Sequence, residues 1–276
     1  MLSTKIRGKS IGKMSSMRLL ASILITAVAV FLTAGEFALV EAEELEEAKV
    51  FIEWNTTDGD QGIQFFWDSE GFTAMTVSNE QTGELFVDTL GNVLDQGLTE
   101  VAIESVEPED SEQTLYEFFT RFPVGTYNFN GTATDGGSIT DSAEFTHDLL
   151  EPVEFTKIYL PVIEWTEPEV KMIVVEGEDP YPGDPDVFSD LLDVVGYELV
   201  VELVIEDEDE EERVFKETTM YPAGFNKHVV GKSFMKLIKN PPGEIIELKV
   251  EILADEPSGN RTITEEPVIE EEEEEE

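Results

Sequence analysis

The chain has 276 residues, no cysteine, and 62 acidic side chains against 17 Lys and Arg, for a formal charge of −45. So negative a surface repels phosphate backbones and anionic lipid, which excludes nucleic-acid binding as a working model. The missing cysteines exclude disulfide staples, thiolate catalysis and cysteine-ligated metal. A salty habitat, in which acidic surfaces stay screened, accounts for the charge without invoking any partner.

The first 42 residues read as an address. Lys5, Arg7, Lys9, Lys13 and Arg18 precede an uncharged apolar run from Leu19 to Gly35. Small residues then offer cleavage sites, Val40-Glu41-Ala42 best and Leu32-Thr33-Ala34 second. This layout is that of a secretory signal peptide, residues 1–42. Seventeen apolar residues also approach spanning length, so an uncleaved anchor is the alternative. No later segment is apolar enough to cross a membrane as a helix. Removing residues 1–42 takes away five cations and two acids and leaves a charge of −48.

About 230 residues remain, room for two domains of ordinary size. With 17 Phe, 6 Tyr and 3 Trp there is material for their cores. Strand patterns begin at once. Val50–Trp54 is the first, and Gly62–Trp67 (GIQFFW) the second. Thr73–Val77 and Leu85–Val87 flank Asn79–Gly83, a hairpin loop. Val101–Val106 is a fifth strand. Thr114–Arg121 has helical spacing, with Leu115, Phe118, Phe119 and Phe122 apolar, and Pro123-Val124-Gly125 stops it. Tyr127–Gly131 and Ala143–Thr146 complete seven short strands, the density of a β-sandwich over residues 48–150.

Glu151-Pro152 marks the boundary to a second unit over residues 153–265. It opens with Tyr159–Trp165 and continues through a Pro- and acid-rich loop, Glu176–Asp186. Tyr197–Ile205 and Arg213–Thr218 read as strands paired across seven consecutive acids, Glu206–Glu212. Asn240-Pro241-Pro242-Gly243-Glu244 turns into the clearest pattern of the chain. There Ile246–Ile252 alternates, Asp255–Asn260 reverses the chain, and a Thr/Ile strand returns to Thr264. Residues 266–276 offer too little apolar surface to bury and are expected to form a disordered acidic tail.

Trp165, the Tyr197 strand, the Pro241–Glu244 turn, the strand Leu248–Ala254 and the segment Ser258–Thr264 stand in an order that resembles a fibronectin type III-like domain, an immunoglobulin-like sandwich. The segment between Trp165 and Tyr197 departs from that pattern: it is long and holds an apolar piece, Val170–Val175. The first unit, with its NTTDGDQGIQ opening and FFTRFPVGTY segment, resembles the leading part of uncharacterised secreted bacterial proteins of the same tandem layout. That resemblance carries no activity. The expected fold is all-β, two immunoglobulin-like sandwiches with one short helix in the first.

Signals for chemistry are few. Asn55, Asp58 and Asp60 present oxygens in a turn-rich loop, as calcium loops do. An EF-type loop needs a bidentate acid at its twelfth position. Counted from Asp58 that position is Ser69, with Glu70 one residue beyond, and Asn or Asp beside Gly also builds ordinary turns. These three residues are the candidate metal ligands; the acid run Glu206–Glu212 could also gather divalent cations, but successive acids in one loop repel each other and aim few oxygens at one ion. The acid run Glu206–Glu212 and the terminal Glu run read as solvated segments. His147 and His228 fall in different units, too few and too far apart for a zinc site, and surface or edge positions account for both. No nucleophile elbow, phosphate loop or metalloprotease helix occurs. An acid pair for glycoside hydrolysis is always available among 62 acids and so is no evidence. Asn55, Asn130 and Asn260 head glycosylation triplets. Phe65, Phe66, Trp67 and Phe72 are either a sugar platform or core, and alternation puts Phe65 and Trp67 together on a buried face.

The expectation is a secreted, periplasmic or cell-surface protein, not an enzyme and without cofactor, that binds or scaffolds a protein or glycan partner. A calcium-stiffened adhesin module and a secreted glycan-active enzyme are the two alternatives. The oligomeric state is open.

Overall fold

The computed structural model describes residues 43–90, 97–108, 111–168, 170–183, 192–207 and 211–270, so the expected signal segment and the Glu run after residue 270 lie outside them. In β1 (Glu47–Asn55), Val50, Ile52 and Trp54 alternate inward, and the strand turns back into β2 (Asp60–Asn79). Sequence alternation suggested two strands in this second stretch; the structure has one, 20 residues long. Its first part pairs with β1 on one side. Beyond a register break between Asp68 and Phe72 it takes β3 (Leu85–Leu90), while β4 (Leu98–Glu104) pairs with the first part and reaches Phe72. Gly71 stands in the break at φ 143°, a conformation open to glycine, and lets one strand serve two sheet directions.

The helix comes where its spacing predicts, as α1 (Leu115–Arg121), with Thr114 and Glu117 forming a reciprocal capping box. β5 (Gly125–Ala133) joins the second part of β2, and β6 (Ser138–Phe145) follows it. Under these strands lies the first core. Trp67 is fully buried there, its ring 5.7 Å from Phe72 and 6.1 Å from Phe129, in edge-on contacts. Phe65 and Phe72 are buried too, so most of the aromatic run is core.

The C-terminal half begins with β7 (Glu154–Tyr159) and β8 (Val162–Thr166). The short pair β9 (Met172–Ile173) and β10 (Tyr181–Pro182) follows, then β11 (Gly196–Glu206) and β12 (Glu212–Pro222), paired across the acid run as expected. After β13 (Lys227–Val229), a helix that the sequence reading did not include, α2 (Lys232–Lys239), leads to β14 (Glu244–Asp255) and β15 (Arg261–Glu270). Three strands, β13-β8-β7, face four, β12-β11-β14-β15, across the second core. Trp165 and Tyr197 meet edge-on in it, 5.6 Å apart. β15 runs to Glu270, five residues into the expected tail, because Val268 packs against this core. Gly243 in the Pro-Pro-Gly turn is required by space: a Cβ there would collide with the Glu206 carbonyl.

Candidate functional site at the junction of the two cores

No linker separates the two cores. Residues 53–55 of β1 pair in parallel with residues 261–263 of β15, so one sheet continues from half to half in the order β12-β11-β14-β15-β1-β2-β5-β6. The hairpin between β14 and β15 supplies the other part of the weld. Pro257, Ser258 and Gly259 turn the chain, and Asn260 comes out of the turn almost fully buried. Its Oδ1 accepts from Ile52 N at 2.9 Å, and its Nδ2 donates to Thr146 O at 3.1 Å and Asp148 O at 2.9 Å. Glu256, also buried, accepts from the Asn260 and Ser258 amides and holds the turn in shape. Thr262 donates to Leu150 O at 2.9 Å, and Thr264 accepts from Val153 N at 3.1 Å. The side-chain amide of Asn260 and the hydroxyl of Thr262 are matched by backbone groups of the first half, which is what a fixed junction requires.

Charge completes it. The Arg261 guanidinium lies 2.8 Å from Asp255, 3.4 Å from Glu53 and 3.8 Å from Glu198. Burial nevertheless holds the carboxyls of Glu53 and Asp255 above their usual range, Arg261 working against it. The apolar piece that had no place in the fibronectin pattern also belongs to the junction. Glu151 N donates to Val170 O and Met172 N to Leu149 O, and Met172 is buried in the first core, not the second.

Of the predicted metal ligands, Asn55, Asp58 and Asp60 are brought together at the β1–β2 turn. The Asn55 Oδ1 accepts from the Thr57 and Asp58 amides, at 3.0 and 3.3 Å. Its Nδ2 donates to Asp58 Oδ2 at 2.8 Å and to Glu265 Oε1 at 3.2 Å. This is an Asx turn that also touches β15. Among the described residues, no group of three or more His, Asp or Glu side chains is arranged to hold a metal ion. Of the glycosylation triplets, Asn130 is exposed, whereas Asn260 is locked in the weld.

The two histidines remain apart. His147 stacks on Phe119 with ring centroids 4.0 Å apart, and its Nε2 lies 2.7 Å from Phe122 O. Burial holds it below the usual histidine range. His228 lies on the edge strand β13, one of the two positions expected for it, with its ring turned inward and only 4% exposed. Its Nδ1 is 2.7 Å from the Tyr221 hydroxyl and its Nε2 3.2 Å from Glu217 Oε1, and Glu217 in turn accepts from Gly231 N at the start of α2. The network ties β12 to β13 and to the helix.

A carboxyl cluster on the outer face of β1, β2 and β4 was not legible in the sequence, because it needs the register. Glu53 faces Gly62 across the ladder, Glu104 faces Gln64, and the Gln64 amide donates to both Glu53 and Glu104. Glu107 folds over Gly62, its Cγ 3.1 Å from where a Cβ would stand. Partial burial, then the charges of Glu104, Asp60 and Glu53, push Glu107 up to about 7. Burial likewise raises Glu251 and Glu256. A carboxyl with a raised folded pKa binds its proton more tightly folded than unfolded, so its contribution to stability falls as pH rises. For Glu107 that loss runs from about 4.5 to about 7. His147 acts in the opposite sense below its ordinary 6.5. The protein is therefore expected to melt higher near pH 5.5 than near pH 7.5, with the Glu107→Gln variant flattening the dependence. Identical pH profiles for variant and parent would show that the cluster holds no extra proton.

No protein-family model and no curated protein matches the chain. Among solved structures it is similar to a tetra-tandem repeat from the extending region of a large adhesion protein, at 11% identity and a TM-score of 0.20. The match covers 82% of this chain and 50% of that one, so the chain spans about half the length of its neighbour.

Proposed function

We propose that this is an exported, non-catalytic scaffolding or binding protein that works as a rigid two-core module outside the cytoplasm, its C-terminal half a fibronectin type III-like sandwich. The observation that carries this reading is the weld. A parallel strand pair, a buried Asn260 shared by both halves and a crossing strap at Met172 hold two cores at one angle. A fixed angle presents loops and sheet edges at set positions, the property a spacer or scaffold needs. The three-strand against four-strand arrangement around Trp165 and Tyr197 supports the fibronectin-like reading. The basic, then apolar, N-terminal segment supports export.

The absence of native cysteine makes the test direct. Spin labels on Asp88→Cys and Thr218→Cys, one exposed site in each half, are expected to report a single narrow distance. A broad distribution would remove the rigid module. Fractionation of cells expressing the full chain is expected to recover it outside the cytoplasm, and recovery inside would remove export.

A further inference from the structure

From Thr218 to Gly243 the chain runs 26 residues without one Asp or Glu, its longest acid-free stretch after residue 42. The same stretch carries Lys227, Lys232, Lys236 and Lys239. In a protein of charge −45 this is an island of opposite sign. The fold gathers it. On α2, Lys232, Lys236 and Lys239 stand at i, i+4 and i+7, one exposed face, while Phe234 is buried beneath. Among the described residues none of these three lysines joins an ion pair. The neighbouring strands β7, β8 and β13 add Lys157 and Lys227 in one row with Glu164, to which Lys227 is paired at 2.5 Å. Next to them align Tyr159, Val162 and Val229, with Tyr159 76% and Val229 58% exposed. Val230 N donates to Pro161 O at 2.8 Å, so this row abuts the first turn of α2.

The geometry points to this strip as the docking surface for a linear anionic polysaccharide, its carboxylates on the α2 lysines and a sugar ring on Tyr159. The inference rests on the reading of the protein as an exported binding module and names its ligand class. Charge complementarity selects an anion. Width selects a thin chain: Glu206, Glu212 and Glu244 stand side by side at the end of the sheet, where the chain comes out of α2 through the Pro-Pro-Gly turn. A bilayer is a broad field of phosphates that meets the surrounding acidic surface together with the lysines, whereas a single polymer chain can follow the lysines alone. An exposed tyrosine beside an apolar valine offers an amphipathic face that a polypeptide of acids alone would leave unused.

The test uses the full chain and polygalacturonate as probe, with neutral dextran, polyglutamate and phosphatidylglycerol vesicles beside it. Binding to polygalacturonate is expected at low salt, weakening about tenfold or more as salt rises from 50 to 500 mM, as counterion release demands. The variant Lys232→Gln/Lys236→Gln/Lys239→Gln, all on an exposed face, is expected to lose about tenfold in affinity with its melting temperature unchanged. Tyr159→Ala is expected to lose a few-fold while keeping the salt dependence. No binding of polygalacturonate, equal binding of polyglutamate or vesicles, or an unaffected triple-lysine variant would each overturn the inference. Shortening of the polymer during incubation would instead overturn the non-catalytic reading and leave the docking surface standing.

Discussion

Asn260→Ala is expected to destabilise the protein by about 3 kcal/mol or more, since each buried backbone group stranded by the change costs roughly 1–3 kcal/mol. The groups are Ile52 N–H in the first half and the carbonyls of Thr146 and Asp148 at its end, all within 3.1 Å of the amide. Water has little access to replace them, because Asn260 is 1% exposed. Asn260→Asp separates the roles. It keeps an acceptor for Ile52 but turns a carboxylate toward two carbonyl oxygens, so its cost is expected to match or exceed that of alanine. Chemical denaturation measures both. The spin-label distance between the halves is also expected to broaden in each variant. A loss below about 1 kcal/mol, the ordinary worth of one exchanged hydrogen bond, would mean that strand pairing alone holds the junction.

Trp67→Ala and Trp165→Ala are each expected to cost about 3–5 kcal/mol, the range for emptying a buried aromatic site. Both side chains are at most 1% exposed, one in each core. The more telling expectation is that both variants shift the same transition. Unfolding the second core removes β15, which exposes the edge of β1 and strands Ile52 N–H, so neither half can melt without injuring the other. Calorimetry of parent and variants checks this. Two resolved transitions, with each tryptophan moving only its own, would show that the halves melt independently.

Much of the local structure was legible because it depends on near neighbours. The alternation of Val50, Ile52 and Trp54, the turn at Asn79–Gly83 and the helical spacing of Leu115, Phe118 and Phe119 each settle a few residues through contacts within one turn or ladder step. α2 carried a signal as well, with Phe234, Leu237 and Ile238 at i, i+3 and i+4. Its lysine face stood out only against the acid content of the rest of the chain. The single long β2 was not legible, since nothing local distinguishes two strands from one strand that changes partners at Gly71. Asn260 read as a turn residue in a glycosylation triplet, because its bonds are to residues more than 100 positions away. Val170–Val175 read as surplus in the second half, because Met172 packs in the first core.

By itself, then, the sequence determined the all-β class, the hairpin from Ile245 to Thr264, the acidic surface and the exclusion of thiol chemistry, all of which follow from periodicity and composition. Only the tertiary structure decided that this hairpin's tip is the bolt between two cores, that His228 faces inward, and that an exposed tyrosine aligns with the strand leading into α2 from a strand some seventy residues earlier. Those facts rest on parallel pairing and on buried polar atoms matched across long separations, and periodicity along one strand carries no record of which distant strand lies beside it.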